Sequence, residues 1–333
     1  MKLVTFTGTL PDARIGALAG NDDTIVDLAS GYEALKSASN PAFGDMQALI
    51  ESGPRTLDDA RRVAETVMRD GIAEAQLDLG SVSLLAPVPR PLQMRDCLAF
   101  EKHFVQARQA RYRKLAAAAP DPDAAWHEFE ESGVMSVPEI WYQQPLYYKQ
   151  NRLSVVGPEA EVVWPRYSKL MDFELELGMF IGKTGRNIPR ERAAEHIFGY
   201  TIFNDFSARD AQAKEMAGQL GPAKGKDFDT GNVLGPWLVT ADEIEDPYDL
   251  TMIARVNGEE WSRGKSGEMH HRFEDMIAHI SADETLHAGE FIGSGTVGNG
   301  CGLELGRFLS DGDVVELEIE GLGTLRNRVR VQS

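Results

Sequence analysis

Cysteine is almost missing from this chain of 333 residues, which has only Cys97 and Cys301, and two thiols cannot build a disulfide framework. No stretch of about 18 consecutive apolar residues occurs, so a membrane-spanning helix is excluded. Positive charge is scarce as well: 34 Lys and Arg stand against 52 Asp and Glu, a net charge of −18. That balance argues against a nucleic-acid backbone or an anionic membrane as partner. The opening residues soon meet Asp12 and Arg14 rather than the apolar run of a signal peptide, and a cytoplasmic location is the expectation. There is no Gly-x-Ser-x-Gly elbow, no Cys-x-x-Cys and no His-Glu-x-x-His, so neither a serine hydrolase nor a zinc enzyme has support from a motif.

What is present begins with Asp172-Phe173-Glu174-Leu175-Glu176-Leu177. In an extended strand successive side chains point to opposite faces, so Asp172, Glu174 and Glu176 share one face and Phe173, Leu175 and Leu177 the other. Carboxylates stacked this closely repel unless protons, basic side chains or a cation neutralise them, and a hard divalent cation suits oxygen ligands. A solvated edge strand with its acids in water is the alternative. About 30 residues on, the apolar run Phe198-Gly199-Tyr200-Thr201-Ile202-Phe203-Asn204 ends on a further acid, Asp205.

Residues 1–88 read as a small N-terminal domain of short β-like runs and helices, including an amphipathic helix over 58–68. The Pro-rich connector Pro87-Val88-Pro89-Arg90-Pro91 marks its end. Residues 89–333 read as the larger, strand-dominated part, with a basic helix after His103, an acid- and Ala-rich lid or surface excursion over 114–140, and a helix over 273–280. The expected class is therefore α+β and β-rich rather than a doubly wound parallel sheet. Gly293-Ser294-Gly295-Thr296-Val297-Gly298 matches a dinucleotide-binding fingerprint, but a further Gly-rich strand is expected after it instead of a helix, which removes the context that motif needs. His103 can serve as a general base or stand as a satisfied structural histidine. Lys226, in the loop Gly225-Lys226-Asp227-Phe228, can donate to an anionic oxygen or lie exposed on a turn. His270, His271, His279 and His287 carry no partner pattern.

Seven signatures in one order resemble the fumarylacetoacetate hydrolase (fumarylacetoacetase) family. They are Met171-Asp172-Phe173-Glu174-Leu175-Glu176, His196-Ile197-Phe198-Gly199-Tyr200, Asn204-Asp205-Phe206-Ser207-Ala208-Arg209-Asp210-Ala211-Gln212, Gly225-Lys226-Asp227-Phe228, Gly235-Pro236-Trp237, Gly293-Ser294-Gly295-Thr296 and Leu303-Glu304-Leu305. The resemblance covers about 95–325 and implies a β-roll type core with a smaller N-terminal domain, assembled as a homodimer. It implies a divalent ion, Mg²⁺ or Ca²⁺ with Mn²⁺ as a further option, held by Glu174, Glu176, Asp205 and Asp96, the last seven residues before His103. His103, Glu304 and Lys226 take the catalytic positions, and Arg209, Gln212, Thr296 and Tyr148 the substrate-binding ones. The segment after His103 departs from the family around its substrate arginine, for which Arg108, Arg111 and Arg113 are the candidates, and 213–218 departs from the family's aromatic stretch. The activity so implied is metal-dependent hydrolysis of a carbon–carbon bond in a β-diketo acid of the fumarylacetoacetate or acylpyruvate type. The same platform also serves a hydratase, a decarboxylase or an isomerase of a 2-oxo acid.

Overall fold

The computed structural model describes residues 1–8 and 12–332. Its architecture is mixed and sheet-rich. Among the described residues the largest sheet has 12 strands, and its main path runs from Gln76–Asp78 through Thr24–Asp27, Arg14–Ala19, Lys2–Thr7, Asn232–Thr240, Ile197–Asp205, Leu175–Ile181, Phe291–Gly293 and Met94–Cys97 to Tyr147–Lys149. A second sheet of five strands orders Glu259–Lys265, Thr251–Val256, Val314–Ile319, Gly323–Val331 and Glu161–Trp164. Neither path closes into a barrel.

The central strand Leu175–Ile181 shows how the acids are placed. Leu175, Leu177, Met179 and Ile181 enter one apolar cluster together with Val315, Leu317 and Ile319 of the second sheet. Phe180 enters another with Phe203, Phe291 and the N-terminal residues Leu3, Ile15 and Val26. A strand buried on both faces reads as a near-continuous apolar run, and Glu176 is the exception within it. The solvated edge strand is thus replaced by a central one: Asp172, Glu174 and Glu176 are all buried.

Arg190–His196 is a tight 3₁₀ turn with Pro189 at its N-cap. Residues 114–140 are largely helical: the basic helix Glu101–Ala117 runs into them and Pro122–Glu131 is a helix capped by Asp121. Tyr112 packs on Phe129 at 4.9 Å between ring centres, which holds the two helices as a hairpin. After Phe291–Gly293 the chain takes an irregular path and then the short helix Gly302–Leu305, not a further Gly-rich strand. No helix among the described residues is long and apolar enough to cross a membrane.

Candidate active site and metal centre

Register brings three acids from three strands to one place. Glu176 lies opposite Phe203, so Asp205, two residues further along that strand, falls on the same face as its diagonal neighbour. Gly293 pairs with Gly178 on one side and with Asp96 on the other. With no side chain at Gly293 the carboxylates of Asp96 and Glu176 meet over it; a Cβ there would stand 2.6 Å from Asp96 Oδ1 and 3.1 Å from Glu176 Oε2. Gly295, at φ +79°, turns its backbone N–H to both, donating to Asp96 Oδ1 at 3.1 Å and Glu176 Oε2 at 3.0 Å. The glycine-rich stretch therefore cradles carboxylates rather than phosphates. Ligand oxygens of Asp96, Glu176 and Asp205 lie within 4.8 Å of one another.

The electrostatics of this trio are unfavourable without a cation. Burial, only partly offset by Lys226, lifts the Asp96 carboxyl to about 6 and that of Asp205 to about 7. Burial and the neighbouring charges of Asp96 and Asp205 push Glu176 well above the usual carboxylate range. Asp205 Oδ1 is buried with no hydrogen-bond partner. Hard oxygen donors, mutual repulsion and an unmet buried oxygen fit a divalent cation held by these three side chains.

Glu174, the remaining expected ligand, lies outside the trio and is paired instead. Lys226 Nζ donates to Glu174 Oε2 and, at 2.6 Å, to Asp205 Oδ2. Arg209 Nη2 stands 2.7 Å from Glu174 Oε1. Burial opposes ionisation of Glu174, but Arg209 and Lys226 outweigh it and hold the carboxyl at about 2. Lys226, 2% exposed, is not a surface lysine on a turn. Tyr148 reaches the trio from Tyr147–Lys149, its hydroxyl donating to Asp205 Oδ2 at 2.6 Å, and Thr296 donates to Glu176 Oε1 at 3.4 Å. Gln212 accepts from Arg209 Nη1 at 3.0 Å.

His103 sits in the first turn of Glu101–Ala117, and Glu304 in the short helix Gly302–Leu305. His103 Nδ1 and Glu304 Oε1 are 3.2 Å apart, yet neither atom meets hydrogen-bond geometry, so the pair is in contact but not aligned. Burial alone would lower the basicity of His103; the Glu304 carboxylate more than reverses this and raises it, and Glu174 adds in the same direction. A buried imidazole beside a carboxylate can accept and return a proton.

Two contributors were not assigned roles by reading the sequence. Asp172 leaves the carboxylate row: it accepts from Arg209 Nε at 2.8 Å and from the backbone N–H groups of Gly302 at 2.7 Å and Leu303 at 2.9 Å. It thereby anchors the turn that carries Glu304. Cys301 adjoins that glutamate, its thiol 3.4 Å from Glu304 Oε2. Asp172 was visible as part of the alternating pattern, whereas nothing in the sequence signalled Cys301. Arg108 stacks on Phe104 at 5.1 Å and Arg113 on Trp126 at 5.4 Å, and Arg111 is exposed on the same helix. His127 is exposed beside Glu131, as a surface helix residue is expected to be.

Known proteins place the arrangement. Residues 123–330 match the family model described as fumarylacetoacetate (FAA) hydrolase C-terminal. The human mitochondrial oxaloacetate tautomerase FAHD2A is 32% identical over 99% of this chain and 91% of its own length. The oxaloacetate tautomerase YisK of Bacillus subtilis (strain 168) is 30% identical over 97% of this chain and 98% of its own. A solved structure of maleylpyruvate hydrolase from Sphingobium sp. SYK-6, in complex with manganese (II) ion and pyruvate, superposes with a TM-score of 0.70 at 25% identity, covering 100% of both chains. With its match over most of its length and relatives aligned nearly end to end, the chain belongs to the fumarylacetoacetate hydrolase family of enzymes.

Proposed function

We propose that this enzyme moves a proton at the carbon next to the keto group of a 2-oxo dicarboxylic acid, a keto–enol tautomerisation with oxaloacetate as the type substrate. The observation that carries this reading is the buried His103 and Glu304 pair, 3.2 Å apart, whose imidazole is held basic within the electrostatic reach of Glu174 and Arg209. Two relatives aligned over nearly the whole chain are named oxaloacetate tautomerases, which supports the same choice.

Asp96, Glu176 and Asp205 would hold a divalent cation, which would supply Lewis acidity to the substrate's keto acid group. His103 takes the C3 proton on a ring nitrogen, the C3–H electron pair moves into the C2–C3 bond, and the carbonyl π pair moves onto the C2 oxygen. His103 then returns the proton to that oxygen, so no proton is consumed. The Glu304 carboxylate, 3.2 Å away, stabilises the protonated form of the imidazole. Lys226 and Arg209, both buried, supply positive charge beside the oxygen that becomes negative. Gln212, Thr296 and Tyr148 line the substrate side of this group.

Hydrolysis of a carbon–carbon bond in a β-diketo acid is the second reading, favoured by the likeness to a maleylpyruvate hydrolase. In that reaction the same histidine removes a proton from water instead of from C3. Turnover of oxaloacetate and of fumarylpyruvate or other acylpyruvates, in EDTA and after return of Mg²⁺ or Mn²⁺, decides between them. Metal-dependent enolisation of oxaloacetate without cleavage of diketo acids is the expected result; cleavage of an acylpyruvate at comparable kcat/KM overturns it in favour of the hydrolase.

The proposal extends to organisation. Residues 89–333 form the catalytic part, with the 114–140 hairpin beside the substrate, and 1–88 a supporting N-terminal domain. The protein works as a homodimer in the cytoplasm, and the exposed apolar side chains of Leu153, Tyr167, Met216 and Leu220 are consistent with a covered face. Light scattering measures the mass.

A further inference from the structure

Two groups of metal-ligating side chains occur among the described residues, and their chemistry differs. Asp96, Glu176 and Asp205 present only carboxylate oxygens, the donors a hard cation selects. His103, Cys301 and Glu304 present a nitrogen, a sulfur and an oxygen within 4.8 Å of one another. Mixed donors of this kind select a borderline-soft ion such as Zn²⁺. The second group is sealed from solvent: Cys301 is 0% exposed, His103 7%, and the Glu304 side chain 0%. It is also unsatisfied, since His103 Nδ1 and Glu304 Oε1 are buried without hydrogen-bond partners, and an unmet buried polar atom costs ~1–3 kcal/mol. Cys301 is a free thiol.

We propose that His103, Cys301 and Glu304 form a second metal site, which takes Zn²⁺ and in doing so blocks the base that the first site serves. A tetrahedral zinc ion holds its donors roughly 3.3–3.8 Å apart, which the 3.2 Å His103–Glu304 and 3.4 Å Cys301–Glu304 approaches already match, and no pair of the three has more than about 1–1.5 Å to close, a movement that side-chain torsions supply. Three protein ligands leave a fourth position for water. Zn²⁺ replaces the thiol proton of Cys301, which passes to solvent, and no electron is transferred. Arg209, near enough to favour the Cys301 thiolate, acts in the same direction as the metal, against burial and the Glu304 charge. Once a ring nitrogen of His103 is bound to zinc, its lone pair no longer accepts a proton. Only this blocking step rests on His103 as the base; binding itself does not.

The test keeps the full chain saturated with Mg²⁺ and titrates Zn²⁺ against a chromophoric chelator. In parallel, Co²⁺ replaces Zn²⁺, because cobalt thiolates have an intense near-ultraviolet charge-transfer band. The expected result is one Zn²⁺ per chain bound in the presence of Mg²⁺, a thiolate band with Co²⁺, and an affinity about tenfold or more weaker in Cys301→Ser with the band gone. Glu176→Gln keeps both the Zn²⁺ affinity and the band. A parent protein with no thiolate band overturns the site, and this arm does not depend on any variant folding. So does an affinity that survives Cys301→Ser but falls in Glu176→Gln, which places the ion among the carboxylates. Turnover followed in the same titration should fall as Zn²⁺ binds. Full turnover with the site filled supports the site but overturns His103 as the base.

Discussion

Glu176 is fully buried beside two other carboxylates, which disfavours its charge. The metal-free protein should show this directly. Asp96 and Asp205 hold their protons to about 6 and about 7 in the folded state, above the ordinary carboxyl value near 4. Between those values the folded chain binds more protons than the unfolded one, so stability falls as pH rises from about 4 to about 7. In EDTA, the Tm should therefore be lower at about pH 7.5 than at about pH 5.5, and saturating Mn²⁺ should flatten the difference. A metal-free Tm that climbs across this interval contradicts the account. By the same logic Glu176→Gln raises the metal-free Tm by roughly 1–3 °C and removes the stabilisation by Mn²⁺, both read by scanning calorimetry. His103→Gln should instead lower kcat roughly 10²–10⁴-fold and leave Mn²⁺ affinity at the carboxylate trio unchanged, since it touches proton transfer and not those three acids. At this scale the sequence was informative in part. The alternation around Glu176 and the acid ending the run at Asp205 are local patterns that periodicity exposes. The contact of His103 with Glu304 spans 201 positions, and only the family resemblance joined the two before the structure did.

Elements carry the site through glycines and buried anchors rather than through propensity. Replacing Gly293 by Ala sets a methyl group 2.6 Å from Asp96 Oδ1, in the gap where the Asp96 and Glu176 carboxylates meet. Gly293→Ala should weaken Mn²⁺ binding about tenfold or more while leaving the far-ultraviolet circular dichroism unchanged; unchanged affinity by calorimetry would falsify the cradle role. Asp172 is a different kind of anchor. It ties Arg209 to the backbone N–H groups of Gly302 and Leu303, and its removal leaves the guanidinium with Glu174 and Gln212 alone. Asp172→Ala is expected to cost about 3–5 kcal/mol in urea unfolding and to lower kcat more than it changes metal affinity. Loss of metal affinity with normal kcat at saturating metal is the outcome that contradicts it. The short helix Gly302–Leu305 escaped sequence reading because four residues give no helical period, and its order comes from Asp172, which is 130 positions away in the chain. The helix Phe273–Ile280 was legible because Phe273, Met276, Ile277 and Ile280 repeat at the spacing of one buried face.

At the scale of the molecule, the N-terminal strands and the catalytic strands share one sheet. Leu3 pairs with Leu238 and Lys2 with Val239, and Leu3, Ile15 and Val26 enter the same buried cluster as Phe180, Phe203, Leu234 and Phe291. The short β runs and the Pro-rich connector announced the elements of residues 1–88, but not this pairing, because a partner more than 230 positions away leaves no trace in local periodicity. The shared cluster fixes how the two parts unfold. Removing 1–88 uncovers large apolar side chains on the sheet face opposite the second sheet, each worth roughly 1.5–3 kcal/mol of burial. The fragment 89–333 should therefore aggregate or stay unfolded, and the full chain should unfold in a single calorimetric transition with matching van't Hoff and calorimetric enthalpies. Leu238→Ala, at the seam, should lower that single transition by about 2–5 kcal/mol without splitting it. Two resolved transitions, or a soluble fragment 89–333 that turns over substrate, would mean that the catalytic strands hold their register without the N-terminal sheet. Asp96 and Glu176 would then owe their approach to Phe291–Gly293 alone, and the supporting role proposed for 1–88 would be lost.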